Sequence, residues 1–235
     1  METIFECREL SKSFGAAKAL DSVNISVQPG RVVGLLGPNG SGKTTLIKLA
    51  NGLLTPTSGE LFINSEHPGK NTHAWVSYLP DRPCLPKWMN TTKLMDMYGD
   101  FFKDFDRERA ERMLRELGLD DKKTIKQMSK GMREKVQLVL TMSRRAKLYL
   151  LDEPIGGVDP ATRDFILDTI IRNYDENASV IISTHLISDV ETILDDVIFI
   201  NDGRVVLQSS VDDIREQYGK SVDAYFREVF RCSAN

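Results

Sequence analysis

The sequence predicts an α/β fold: a mainly parallel sheet, an antiparallel β-subdomain ahead of it, and a helical subdomain inserted at about residues 82–146. Three observations predict it. Val32-Val33-Gly34-Leu35-Leu36 reads as a buried strand, runs into the glycine-rich segment Gly37-Pro38-Asn39-Gly40-Ser41-Gly42-Lys43-Thr44-Thr45, and is followed by helical Leu46-Ile47-Lys48-Leu49-Ala50. Leu148-Tyr149-Leu150-Leu151 and Val180-Ile181-Ile182 are continuous apolar runs, the pattern of strands buried on both faces. Between Asp81 and Lys147 the apolar spacing turns helical.

In chain order, Val23, Ile25 and Val27 alternate with Ser22, Asn24 and Ser26, an antiparallel pattern with one wet face, and Pro29-Gly30 turns the chain. Leu61 and Ile63 repeat the alternation after Gly59, and Ala74 to Leu79 forms the next strand, stopped by Pro80. In the insertion, Arg107 to Leu117 is a helix with Ala110, Met113, Leu114 and Leu117 on one face and Gly118 at its end. A second helix runs from Gly131 to Arg144, with Val136, Val139, Leu140 and Ser143 at helical spacing and Ser129 where an N-cap belongs. The parallel core resumes at Leu148. Asp159-Pro160 caps and opens a helix carrying Phe165, Ile166 and Ile170. Val197–Ile200 and Arg204–Leu207 flank Asn201-Asp202-Gly203, a hairpin turn. In the tail, Val222, Tyr225, Phe226, Val229 and Phe230 recur at helical spacing, as expected of a helix packed on the parent domain or a sister subunit. With no linker or internal repeat in view, residues 1–235 read as one domain.

Residues 37–45 fit G-x-x-x-x-G-K-[ST] in the strand–loop–helix context that a phosphate-binding loop requires, which makes the core a P-loop NTPase. Glycines let the loop fold tightly, so that its N–H groups converge on phosphate oxygens, and the helix N-terminus adds partial positive charge. Lys43 is placed to reach the β- and γ-phosphates of ATP and the Thr44 hydroxyl to ligate Mg²⁺. Asp152 and Glu153 end the run Leu148–Leu151, where an open parallel sheet gathers its ligands. There Asp152 suits Mg²⁺, through water, and Glu153 suits orienting or deprotonating an attacking water. His185 follows the strand Val180–Ile182 and suits contact with the γ-phosphate; a lone histidine is otherwise usually structural, so its position carries the assignment. His67 and His73 lie in polar loop sequence and receive no role.

Composition bounds the rest. Net charge is −3, with no long basic run, which argues against a protein built to neutralise a nucleic-acid backbone. Cys7, Cys84 and Cys232 are scattered and show neither metal spacing nor a disulfide framework, so they read as reduced thiols of a cytosolic protein. No signal peptide is legible, and no apolar stretch approaches the roughly 18 residues of a membrane span. A membrane role therefore needs a partner.

The order of these motifs resembles the ATP-binding subunit of ABC transporters over nearly the whole chain. Phe14, in Leu10-Ser11-Lys12-Ser13-Phe14-Gly15, matches the family aromatic that stacks on adenine, although a core Phe fits the residue type as well. Ser129-Lys130-Gly131-Met132 occupies the place of the family signature, where a serine and helix N-terminal amides bind the γ-phosphate held by the opposite subunit. Asp159, in Gly156-Gly157-Val158-Asp159-Pro160, matches the aspartate loop that couples the two sites; a plain helix cap is the alternative, and the two roles are compatible. Two positions depart from the family. Asp81 stands where glutamine is usual, so a carboxylate that can accept or ligate Mg²⁺ replaces an amide donor and adds negative charge near the γ-phosphate. Lys130 replaces the usual glycine and Met132 the usual glutamine; Lys130 either contacts triphosphate or points to solvent.

The resemblance implies a homodimer that sandwiches two ATP molecules, a separate transmembrane subunit, no nucleic-acid partner, and a peripheral position on the cytoplasmic face of the cell membrane. Arg82-Pro83-Cys84-Leu85-Pro86-Lys87-Trp88-Met89 either docks a helix of that membrane subunit or fills the insertion's own core. The variant Met128-Ser129-Lys130-Gly131 with Asp81 looks like a bacterial subgroup, some of whose members export amphipathic or antimicrobial peptides. The competing class is a soluble ABC ATPase acting on ribosomes or DNA, whose usual second domain or long coiled coil is not present in these residues. A small kinase or GTPase is a third class; the signature serine, Asp159 and His185 speak against it, and there is no Asn-Lys-x-Asp guanine motif.

Overall fold

A computed structural model describes residues 3–119, 122–174 and 177–231. Strands β1 (Phe5–Phe14), β2 (Ala17–Val27) and β4 (Ser58–Ile63) form an antiparallel sheet in the order β2-β1-β4. Strands β3 (Val32–Leu36), β5 (Val76–Leu79), β6 (Leu148–Asp152), β7 (Ser179–Thr184), β8 (Asp196–Asn201) and β9 (Arg204–Ser210) form a second sheet in the order β5-β6-β7-β3-β8-β9. All of its neighbours are parallel except the β8–β9 hairpin. Helix α1 (Lys43–Ala50) follows β3. Helices α2 (Thr91–Phe101), α3 (Arg107–Glu116) and α4 (Lys130–Met142) lie between β5 and β6. Helix α5 (Pro160–Asn173) joins β6 to β7, α6 (Ile187–Val190) follows β7, and α7 (Val211–Tyr218) and α8 (Val222–Arg231) follow β9.

The apolar runs are buried on both faces, as their lack of alternation requires. Along β6, Tyr149 and Leu151 face one core with the insertion helices, while Leu148 and Leu150 face a second core shared with α1 and the antiparallel sheet. β7 and β8 divide likewise: Val180, Ile182, Val197 and Phe199 on the first side, Ile181, Ile198 and Ile200 on the second. In β2 the polar residues of the alternation are exposed, and Val23, Ile25 and Val27 are buried.

Several element ends move from their sequence-based positions. The strand read from Ala74 begins at Val76, because Thr72–Ala74 forms a 3₁₀ turn whose Thr72 hydroxyl donates to the Gly69 carbonyl. The helix read over Gly131–Arg144 starts at Lys130, capped by Ser129 Oγ accepting from Met132 N at 3.3 Å, and ends at Met142. Beyond it the Arg144 guanidinium turns to Asp104 and to the carbonyls of His73, Ala74 and Val76. One strand carries no clear period. β1 shifts register at three places against β2, and Glu9 adopts φ 46°, so its side chains do not alternate. α2 starts at an Asn90 cap with a Thr-rich first turn and ends beside an exposed Phe101. The tail helix α8 packs on its own domain: Phe199 meets Tyr225, Phe226 and Phe230 at centroid distances of 6.2, 5.2 and 6.2 Å. Met89 packs against the insertion core, whereas Trp88 is 66% exposed, so of the two only Met89 fills that core. Cys7 is buried, which pushes its thiol pKa up; Cys84 is exposed, and Cys232 lies outside the described residues. Among the described residues no helix is long and apolar enough to cross a membrane.

Candidate functional site

The carboxyl ends of β3, β6 and β7 lie level with one another, Leu36 beside Thr184 and Asp152 beside Ser183. They deliver the loop 37–42, Asp152-Glu153 and His185 to one edge of the sheet, where the strand order reverses direction around β3. An open cleft of about 870 Å³ there is lined by Asn39–Thr45, Asp81, Glu153 and His185 on the core side. Arg82, Lys87, Lys130, Arg133 and Glu134 line it on the insertion side.

The loop is built to present amides. Helix α1 starts at Lys43, its N-cap Gly42 offers no side-chain cap, and its first turn holds no acid, so its leading N–H groups are left for a ligand. Gly42 adopts φ 111°, a conformation closed to other residues, and a Cβ there would stand 2.6 Å from the Ala19 carbonyl oxygen. Lys43 is 5% exposed and donates to the Gly37 and Pro38 carbonyls at 2.8 and 3.0 Å. Burial lowers its pKa, and the Glu153 carboxylate, 3.6 Å away, opposes that shift.

Asp152 is 1% exposed. Its Oδ1 accepts from Thr44 Oγ1 at 3.1 Å and from Ser183 Oγ at 2.6 Å, and its Oδ2 is buried with no hydrogen-bond partner among the described residues. Burial raises its pKa, and the two hydroxyl hydrogen bonds work against that. A buried carboxylate oxygen left without a partner beside a threonine hydroxyl fits an oxygen-liganded divalent cation, so Thr44 and Asp152 suit Mg²⁺. Ser183 takes part in this arrangement; in the sequence it is one polar residue before a strand end, which does not reveal that its hydroxyl turns to β6.

Glu153 adopts φ 50°, a left-handed conformation costing a non-glycine residue roughly 1–2 kcal/mol. It is held there by its N–H donating to the Ser183 carbonyl at 2.9 Å and by its own carbonyl accepting from Gly156 N at 3.0 Å. The turn lifts its carboxylate into the cleft, with Oε1 3.6 Å from Lys43 Nζ and Oε2 3.1 Å from His185 Nδ1.

The remaining sequence-derived residues lie around this centre. Asp81 lines the cleft and is half exposed, 3.9 Å from Arg82 Nε. Phe14 is 50% exposed at the end of β1, so it is not a core residue; it does not line the cleft, and Lys12 Nζ lies 5.2 Å from its ring centroid. Ser129 does not line the cleft either. With Gly131, Met132, Gly157, Val158 and Asp159 it faces an adjoining hollow of about 450 Å³, while Lys130 lines both spaces. The start of the α4 helix, through Lys130, Arg133 and Glu134, lines the same cleft as the chain's own loop. Lys130 Nζ lies 3.5 Å from Glu134 Oε1 and is largely exposed. Asp159 caps α5, accepting from Thr162 N and Oγ1 at 3.1 and 2.7 Å. The cleft cations Lys87 and Arg133 belong to no motif, and only folding brings them to this wall.

A family model described as "ABC transporter" matches residues 20–156. Among curated proteins, the SkfA peptide export ATP-binding protein SkfE of Bacillus subtilis (strain 168) is 31% identical over 221 residues, covering 91% of this chain and 92% of that one. The lantibiotic transport ATP-binding protein SrtF of Streptococcus pyogenes is 28% identical over 211 residues, covering 89% and 92%. Among solved structures, one described as the ATP-binding subunit of an ABC transporter superimposes with a TM-score of 0.87 at 28% identity, over 97% of this chain and 100% of that one.

Proposed function

Because the chain belongs to the ABC transporter family, as an ATP-binding and ATP-hydrolysing subunit, we propose that it powers a bacterial exporter of peptides or other amphipathic compounds. In this reading it works through a separate membrane subunit at the cytoplasmic face of the membrane, and two copies close over two ATP molecules. The observation that carries the reading is the convergence of Lys43, Glu153 and His185 beside an uncapped helix N-terminus.

Phosphoryl transfer to water is mostly positioning and charge neutralisation. The Gly37–Thr45 amides and Lys43 hold the phosphates; on binding, Lys43 exchanges the Gly37 and Pro38 carbonyls for phosphate oxygens. Thr44 and Asp152 would hold Mg²⁺, which would supply charge neutralisation for the phosphates. Glu153 accepts a proton from the attacking water as the bond to the γ-phosphorus forms and the bridging P–O bond breaks, releasing ADP and phosphate. His185 offers a ring N–H to the γ-phosphate, and Phe14, exposed beyond the cleft, offers a face to adenine. Ser129 and Gly131, which line the adjoining hollow and not the chain's own cleft, serve the triphosphate of a second copy, with Lys130 lining both spaces. Asp159, on the rim of the same hollow, and Asp81 link nucleotide state to the partners. Residues 1–235 act as one ATPase domain whose insertion, about 82–146, carries the signature helix. Relatives named for lantibiotic transport and SkfA peptide export support the cargo class.

The test is the Glu153→Gln variant. It should keep ATP binding and lose hydrolysis by about 100-fold or more, the usual weight of a general base. Reconstituted with its membrane subunit, the parent should show ATPase stimulation by amphipathic peptides. Parent-like hydrolysis by Glu153→Gln overturns the assigned base, and absence of peptide stimulation overturns the cargo class.

A further inference from the structure

The phosphate loop does not stand free; it is seated in a socket made by β2 and the β8–β9 hairpin. A Cβ on Gly37 would lie 2.2 Å from the Ile200 carbonyl oxygen. A Cβ on Gly42 would lie 2.6 Å from the Ala19 carbonyl oxygen and 2.8 Å from Leu20 Cδ2. Both ends of the loop are thus pressed by backbone from outside the motif. At the crest, Gly203 N donates to the Ser41 carbonyl at 3.0 Å, and Asp21 N donates to the Gly203 carbonyl at 2.9 Å. One residue of the hairpin turn, through its N–H and its carbonyl, therefore bridges the loop to β2.

The turn can do this only in its present shape. Asp202 and Gly203 both have positive φ, 45° and 75°, the two-residue geometry that suits the strand twist of a hairpin. A Cβ on Gly203 would lie 2.8 Å from the Ala19 carbonyl oxygen and 3.0 Å from Leu20 Cα, both backbone atoms. An ionic clasp holds the same junction from the solvent side: Asp21 accepts from Arg204 Nε and Nη2 at 2.8 and 2.5 Å and from Lys18 Nζ at 2.5 Å.

We propose that the Asp202–Gly203 turn is a positioning element for ATP binding, whose Gly203 N–H fixes the crest of the phosphate loop so that the loop amides converge before the nucleotide arrives. Preorganised amides bind phosphate without first paying an ordering entropy. A loop freed from the turn keeps its sequence and loses affinity for the polyphosphate, and the bound complex then reacts at nearly the parent rate. Gly203 touches no nucleotide; it acts through Ser41.

The proposal rests on the nucleotide site described above. Its test is Gly203→Ala in the full chain, measuring KM and kcat for ATP and the dissociation constant for ADP. Support is a rise of threefold or more in KM and in the ADP constant, with kcat within twofold. A smaller rise, or a fall in kcat without one, overturns it, since a merely structural turn would lower thermal stability alone. Should Gly203→Ala fail to fold, Arg204→Gln decides: it opens the surface clasp and leaves the loop sequence intact. Faster amide hydrogen exchange over residues 37–43 supports the proposal, and unchanged exchange overturns it. Failure of the parent itself to bind ADP would instead remove the nucleotide site, a result these variants do not mimic.

Discussion

Replacing Arg144 by Met should cost the fold more than any exposed charge in the chain. Arg144 is 3% exposed. Its guanidinium donates to Asp104 Oδ1 and Oδ2 at 3.1 to 3.2 Å and to the Val76, His73 and Ala74 carbonyls at 2.5, 3.2 and 3.2 Å. Its carbon lies 3.9 Å from the Phe102 ring centroid. One side chain therefore ties the segment between α2 and α3 to the start of β5. Met keeps much of the stem volume and removes every donor. Asp104, whose side chain is 23% exposed, loses its cation, and the Val76 carbonyl is left buried without this partner. Removing one member of a buried ion pair costs about 3–5 kcal/mol, and leaving a buried carbonyl unpaired costs about 1–3 kcal/mol by itself; the ion-pair figure sets the estimate. For a domain of this size, 1 kcal/mol moves Tm by about 2–4 °C, so the expected drop is roughly 6–20 °C by calorimetry. None of the Arg144 partners lines the nucleotide cleft, so KM for ATP at 20 °C should stay within twofold. A Tm loss below about 2 °C would show that the network contributes little and would refute the reasoning.

Two further outcomes follow from local electrostatics. Asp106 caps α3, accepting from Arg109 N at 2.9 Å, and pairs with Arg145; the backbone hydrogen bond first, and Arg145 second, hold its carboxyl below the usual range. A folded-state pKa below the unfolded one stabilises above the unfolded value near 3.9 and loses that contribution as pH falls. Asp106→Ala should therefore cost about 1 kcal/mol at pH 7 in urea unfolding, and the gap to the parent should narrow on acidification below about pH 4; a gap independent of pH contradicts this. Asp81→Gln removes a negative charge from the cleft that holds Glu153 and restores an amide donor. It should lower KM for ATP, more so at low salt, and raise ATPase stimulation by the membrane subunit proposed above; unchanged rate and coupling would discard a role for Asp81 in sensing bound ATP.

The sequence alone carried the strand–loop–helix at 32–50, the two-sided burial of β6 and β7, and the caps at Ser129 and Asp159. These are local facts: period, breaker and cap are written in consecutive residues, and the loop motif is contiguous because one backbone segment must wrap one phosphate chain. β1 was not legible, because a strand that shifts register loses the period that announces it. The tertiary structure alone decided that Ser183 from β7 bonds the Asp152 carboxylate of β6, and that Glu153 is held in a left-handed turn between Lys43 and His185. It also decided that Lys87 and Arg133 face the phosphate loop, and that a hairpin some 160 residues downstream seats Ser41. Those relations join residues distant along the chain. Strand order and register set them, through hydrogen bonds and backbone contacts that no local spacing encodes.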